Sequence, residues 1–169
     1  MLIISILSLV GLTLLAVSAD DILGFWVTED ARSVVEVFKD NTEYKARIVA
    51  LKVPDYKSDS TLGKPDTPRL DDQNPDKTLR TRPVLGLTIM NGFEFRNELW
   101  KNGKIYDPKN GKTYSCKMTL QGNGTLDVRG YIGVSALGRT TEWLRPDDYL
   151  KRFKLESLGY EFPSPLLNR

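Results

Sequence analysis

A missing residue type narrows the chemistry open to this chain: none of its 169 residues is histidine. That removes His-based triads, the usual zinc sites and the commonest general base. Carboxylates, Lys, Tyr and Ser remain. The run Asp72-Gln73-Asn74-Pro75-Asp76 supplies alternating oxygens as a calcium loop would, but Lys77 stands where the turn glycine belongs and Pro83 where a bidentate Glu belongs, so an EF-hand is excluded. A looser cation site could draw on Asp71, Asn74 and Asp76. Asx-turn capping beside Pro75 accounts better for Asp71 and Asn74, and no metal or cofactor is expected.

Asp107 precedes Pro108 and could serve as a catalytic acid or form a turn; with no paired carboxylate at defined geometry, turn formation is the better reading. Tyr106 and Tyr114 flank that turn, where they either pin a hairpin or line a cavity mouth. Cys116 and Met118 continue the alternation Tyr114, Cys116, Met118, Leu120, which makes the lone cysteine a buried hydrophobe and Met118 a candidate cavity residue. Arg129, like Arg139, anchors a ligand carboxylate if it points inward and is ordinary surface if it points outward. Register decides, because a slip of one residue inverts every side chain. Asn123-Gly124-Thr125 matches a glycosylation sequon, but a hairpin turn suffices to explain it.

The elements that must position these residues are strands. Asn-Gly tolerates the positive φ of a type I′ turn, so Asn91-Gly92, Asn102-Gly103, Asn110-Gly111 and Asn123-Gly124 are read as hairpin turns. Around them alternate apolar positions, as in Tyr44 to Lys52, Val84 to Met90, Lys112 to Gln121, Leu126 to Val134 and Leu137 to Leu144. Strands near 23, 34, 44, 85, 93, 113, 126 and 138 make an all-β, antiparallel meander of about eight, a number that favours closure into a small barrel. Between Pro54 and Pro83 the alternation collapses: five of the nine prolines fall there, with six acidic and six basic residues. Such a stretch is either an ordered lid, binding loop or Ω-loop, or a mobile insertion. The tail from Pro146 places Leu150, Phe153 and Leu158 in an amphipathic pattern ending at Gly159, a short helix.

Composition suits one globular domain, with 40% hydrophobic and 27% charged residues. Met1 to Ala19 carries no charged side chain and ends Val17-Ser18-Ala19, the chemistry of a signal peptide cleaved before Asp20. The expected organisation is a signal peptide over 1–19, a barrel over 20–146 and a helical tail over 147–169. A net charge of +2 with interspersed signs points away from nucleic acid, and removal of the signal leaves no stable membrane span.

Gly24-x-Trp26 on the first strand and Trp143-Leu144-Arg145 on the last resemble the lipocalin-like pattern, in which an Arg from the closing strand lies across a Trp from the opening one. A broader resemblance runs from Gly24 to Arg145. Asp71 to Asn74-Pro75, Gly86-Leu87, Tyr106-Asp107-Pro108-x-x-Gly111-Lys112-x-Tyr114 and Leu126-x-Val128-Arg129-Gly130-Tyr131-Ile132-Gly133 are similar to an exported bacterial family known as a domain of unknown function. That resemblance implies a calycin-type barrel, periplasmic or secreted, with no established activity. The functional expectation is a binding protein for a small, mainly apolar or amphiphilic molecule. The alternatives are an envelope protein-interaction or cell-wall-binding module with a filled barrel and, third, a His-independent hydrolase.

Overall fold

The computed structural model describes residues 16–159. Eight antiparallel strands follow one another in sequence order: β1 (Gly24–Val27), β2 (Ser33–Asp40), β3 (Glu43–Leu51), β4 (Thr88–Arg96), β5 (Leu99–Asp107), β6 (Lys112–Leu120), β7 (Leu126–Tyr131) and β8 (Arg139–Trp143). The sheet closes where Val27 N–H donates to the Leu144 carbonyl at 2.8 Å and Leu144 N–H returns the bond at 3.1 Å. Two bonds at this one bridge therefore bring an open meander to a nearly closed barrel. One helix, α1 (Pro146–Phe153), follows. Its Tyr149, with Leu158 beyond it, packs over the outer-face residues Val27, Val34 and Ala50. Left-handed Lys154, not Gly159, ends the helix.

Eight strands were expected and eight form, but two Asn-Gly pairs do different work from the expected turns. Asn91-Gly92 lies inside β4 and Asn102-Gly103 inside β5. Against β3, β4 carries one extra residue between Met90 and Phe93; against β6, β5 carries one between Trp100 and Gly103. The positive φ of Gly92 (76°) and Asn102 (65°) thus serves side-by-side bulges that bend the sheet, as barrel closure requires. The Phe93 ring fills the space over Gly103, where an added Cβ would lie 2.4 Å from ring carbons. The β4–β5 reversal falls instead at Asn97-Glu98, with φ of 53° and 58°. Asn110-Gly111 and Asn123-Gly124 do occupy turns. β7 stops at Tyr131, short of the expected Val134, because Gly133 takes a φ of 71°.

One end of the barrel is sealed by residues 20–23. Ile22 is fully buried, and its carbonyl accepts from Trp26 Nε1 at 2.8 Å; in the uncleaved chain the Ala19 carbonyl also accepts from Trp100 Nε1 at 3.1 Å. Arg145 crosses over the Trp26 indole, its guanidinium carbon 3.9 Å from the ring centroid. Its nitrogens donate to the carbonyls of Leu23 at 2.8 Å and Asp21 at 2.7 Å. Gly24, at φ 103°, leaves the room this needs, since a Cβ there would stand 3.1 Å from Arg145. Trp143 is buried in the same core as Trp26 and Trp100. Of the apolar segment 1–19, residues 1–15 lie outside the described residues; Val17 and Ala19 pack against the core.

Trp26→Ala should cost about 3 to 5 kcal/mol of unfolding free energy by opening a core cavity, and Arg145→Ala less, with a desolvated cation–π contact worth on the order of 2 kcal/mol. A double-mutant cycle on urea unfolding should return clear coupling between them. Additive losses would mean that the stacked pair does not hold the seam.

Candidate binding site at the open end of the barrel

Strand directions put the 28–32, 52–87, 108–111 and 132–138 connections at the end opposite the Trp26 floor. The lower interior is filled: Trp26, Phe93, Trp100, Cys116 and Met118 belong to one buried cluster. Met118 is therefore core rather than cavity lining. Burial pushes the Cys116 thiol up to about 12, so it stays protonated and unreactive in the neutral range. Register sets the inward face of the upper half. Cys116 pairs with Gly130, and Tyr114 with Ile105, so Ile105, Tyr114 and Gly130 point inward above that core, each half-buried. The Tyr114 hydroxyl is tied to the rim by Asn110 Nδ2 at 3.1 Å. Gly130 contributes no side chain and leaves a notch beside Tyr114 and Ile105; a Cβ there would meet them at 3.7 and 3.8 Å, ordinary contact distances.

Two sequence candidates face the other way. Arg129, next to inward Val128, points outward and donates to the Ser135 carbonyl at 2.9 and 2.7 Å, the Ala136 carbonyl at 3.2 Å and Thr140 Oγ1 at 2.9 Å. It fixes the β7–β8 connection rather than reaching into the barrel. Tyr106 also points outward, next to inward Ile105, and meets the long 54–83 loop at Asp71 and Arg82.

That loop is ordered, and Asp71 holds it. Its side chain has 0% exposure. One carboxylate oxygen accepts from the Tyr106 hydroxyl at 2.5 Å; the other accepts from Asn74 Nδ2 at 2.7 Å and from the Arg82 guanidinium at 2.9 and 2.8 Å. Asn74 Oδ1 accepts from Asp76 N–H at 2.9 Å, the Asx-type capping expected beside Pro75. Further along the loop, the Tyr56 hydroxyl donates to Asp72 and accepts from Leu70 N–H. At Gly111, an added Cβ would fall 1.8 Å from the Gln73 carbonyl oxygen, so the β5–β6 turn and the loop meet backbone to backbone. Tyr56 and Arg82 went unrecognised in the sequence, because they lie 16 and 11 positions from the acids they meet and no local spacing marks them. Asp107 acts as a turn former, its oxygens accepting from Lys109 N–H at 2.9 Å and Asn110 Nδ2 at 2.8 Å. Among the described residues, no group of three or more Asp, Glu or Cys is placed to hold a metal ion, and no helix is long and apolar enough to cross a membrane.

A family model described as an uncharacterized protein conserved in bacteria, DUF2147, matches residues 24–145. The chain belongs to the DUF2147 family. The matched span begins at Gly24 and ends at Arg145, the two positions that meet at the sealed end. No curated protein matches the sequence. Among solved structures, protein HP1028 from the human pathogen Helicobacter pylori, which belongs to the lipocalin family, is similar: TM-score 0.59, 25% identity, covering 86% of this chain and 95% of that one. This DUF2147 chain thus has a lipocalin-like, eight-stranded barrel.

Burial, and then the bond to Asp71, push the Tyr106 hydroxyl up to about 12 from an ordinary value of 10. A hydroxyl whose folded value is raised loses its stabilising contribution as pH rises from the unfolded value through the folded one, here between 10 and about 12. Alkaline unfolding of Tyr106→Phe, compared with wild type, should therefore lack one component of stability loss in that window. Identical alkaline slopes would show that the Asp71 bond does not hold Tyr106 protonated.

Proposed function

We propose that this DUF2147 protein is an exported binding protein that takes a small, mainly apolar or amphiphilic ligand at the open end of its barrel. The observation that carries the reading is the division of the interior. Aromatic and sulfur side chains fill the lower half, while above it Ile105, Tyr114 and side-chain-free Gly130 form an inward-facing apolar rim. Barrels of eight strands have room for one small ligand or for their own side chains. Here the ligand would enter from the rim and rest on the core, so its tail is short or only partly enclosed. Support for export is the uncharged apolar stretch Met1 to Ala19 followed by Asp20.

The filled lower interior also favours a second reading, an envelope protein-interaction or wall-binding module that uses the barrel as scaffold. Hydrolysis draws no support from the geometry, because the oxygens of both Asp71 and Asp107 are occupied by structural donors.

A fluorescent fatty-acid analogue should bind the wild-type protein and Gly130→Ala alike, while Gly130→Leu, which fills the notch, should weaken binding by about tenfold, the factor equivalent to 1.4 kcal/mol. Unchanged binding by Gly130→Leu would move the site away from the rim. Native mass spectrometry of protein from its own host separates the two readings: a reproducible small molecule supports the first, a co-purifying macromolecule the second. Amino-terminal sequencing of the soluble envelope or medium fraction should begin at Asp20. Intact Met1 to Ala19 in washed membranes would overturn export with cleavage.

A further inference from the structure

The expected cleavage point lies inside the folded floor. Two successive turns cross this stretch: Asp21 N–H donates to the Ser18 carbonyl at 3.2 Å and Leu23 N–H to the Asp20 carbonyl at 3.0 Å. The Ala19–Asp20 bond therefore sits at the centre of the first turn, which Ser18 N–H tightens by donating to Asp21 Oδ2 at 2.7 Å. The Ala19 carbonyl oxygen, the atom a hydrolytic enzyme must polarise, faces the barrel and accepts from Nε1 of fully buried Trp100. On the other side of the bond, the Asp20 carboxylate accepts from the Tyr44 hydroxyl at 2.5 Å and from Lys39 Nζ at 3.0 Å. Both flanks are thus fastened to the barrel, one to β5 and the other to β2 and β3.

The side chains are engaged as well. Val17 and Ala19 are the two positions that give the apolar segment its signal-peptide ending, and they are the ones a signal peptidase must accommodate. Both pack against the core cluster that contains Ile22, Trp26 and Trp100. The residues that would enter the enzyme therefore already fill a place in this fold. Proteolysis of a folded chain proceeds through local opening, and follows the population of the opened form when opening and closing are fast. Opening here gives up the turn, the Trp100 bond and the packing of Val17 and Ala19 together, because all of them hold the same few residues.

We infer that folding and cleavage exclude one another in this protein: the Ala19–Asp20 bond is cut only while the floor is unformed, and a chain that folds first protects the bond and keeps residues 1–19. The inference rests on the export reading above and supplies its timing. Hydrolysis adds a water across the bond, its oxygen leaving Ala19 as a carboxylate and its protons leaving Asp20 as an ammonium group. The cleaved chain loses the Ala19 carbonyl from Trp100 Nε1, so the two fates also differ in the surroundings of that indole.

The test is a race between the two processes. The full chain, unfolded in urea, is diluted into detergent micelles that hold bacterial signal peptidase, or is first refolded in the same micelles and then given the enzyme. Amino-terminal sequencing identifies the products. Chain diluted directly onto the enzyme should be cut before Asp20, and refolded chain should be cut more slowly by about tenfold or more, the factor equivalent to 1.4 kcal/mol. A synthetic peptide of residues 12–25, cut alike in both arms, shows that the enzyme is active throughout. Trp100→Phe withdraws the donor from the Ala19 carbonyl and should speed cutting of the refolded chain about fivefold, the scale of one hydrogen bond. Asp21→Ala, at an exposed position, removes the acceptor of Ser18 N–H and should act in the same direction, each variant being compared with its own unfolded chain. Equal cutting of refolded and unfolded wild type would overturn the inference and leave export with cleavage standing. Protection unchanged in both variants would also overturn it, by placing the cause outside the turn and the Trp100 bond. No cutting before Asp20 in either arm would overturn the inference and the export reading together.

Discussion

The stacking of Arg145 on Trp26 is the contact on which the barrel depends. It combines three things that are rarely found at one side chain: a cation over an indole, two charge-assisted bonds to the carbonyls of Leu23 and Asp21, and covalent continuity with the residue that closes the sheet. The Trp26 indole N–H in turn holds Ile22, so the floor is built from one end of the domain and fastened by the other. Without that fastening, the two Val27–Leu144 bonds would be a weak join, and β1, only four residues long, would be a frayed edge rather than a staple.

A second fixed point lies near the opposite rim. The buried Asp71 carboxylate is satisfied by a guanidinium, an amide and a phenol drawn from three places in the chain. Removing Arg82 would leave the buried carboxylate without its counter-charge, which is costly. The arrangement explains how thirty residues rich in proline and charge can be ordered with no more regular structure than one 3-10 turn at Lys77–Leu79 and two isolated bridges. They are tied to the outer wall at Tyr106, whereas the rim residues Ile105, Tyr114 and Gly130 belong to the inner face of the same wall.

Sequence carried the architecture further than the site. Strand number and the buried state of Cys116 follow from alternation, while the Trp26–Arg145 meeting was legible only through the lipocalin-like resemblance of Gly24-x-Trp26 and Trp143-Leu144-Arg145. Asn-Gly was less informative, because positive φ serves a bulge as readily as a turn: Asn91-Gly92 and Asn102-Gly103 bend strands, while Asn97-Glu98 reverses the chain without a glycine. The bulges add a residue to β4 and β5, and that shift decides that Ile105 faces inward and Tyr106 outward. Arg129 shows the same limit. Its type suits a ligand anchor, yet its place in register gives it to the backbone of the next connection. The exposed trio Ile132, Val134 and Leu137 was hidden because it extends an apolar alternation that reads as strand until Gly133 and Gly138 are given their conformations.

The closing bond between Arg145 and Leu23 joins residues 122 positions apart. Apart from β3–β4, which pairs across the 52–87 connection, the hairpins of the meander can form from neighbouring segments as the chain emerges, but the seam has to wait for β8, nearly the whole length of the domain. Until then Trp26 has no cover and β1 is an unpaired edge. Loop closure over such a distance is entropically expensive, and folds dominated by long-range pairing are slow, on the scale of milliseconds to seconds. The nascent protein is thus a half-built sheet, sticky along one side, for as long as its last strand is missing. Its final folding step brings together the two ends of the domain.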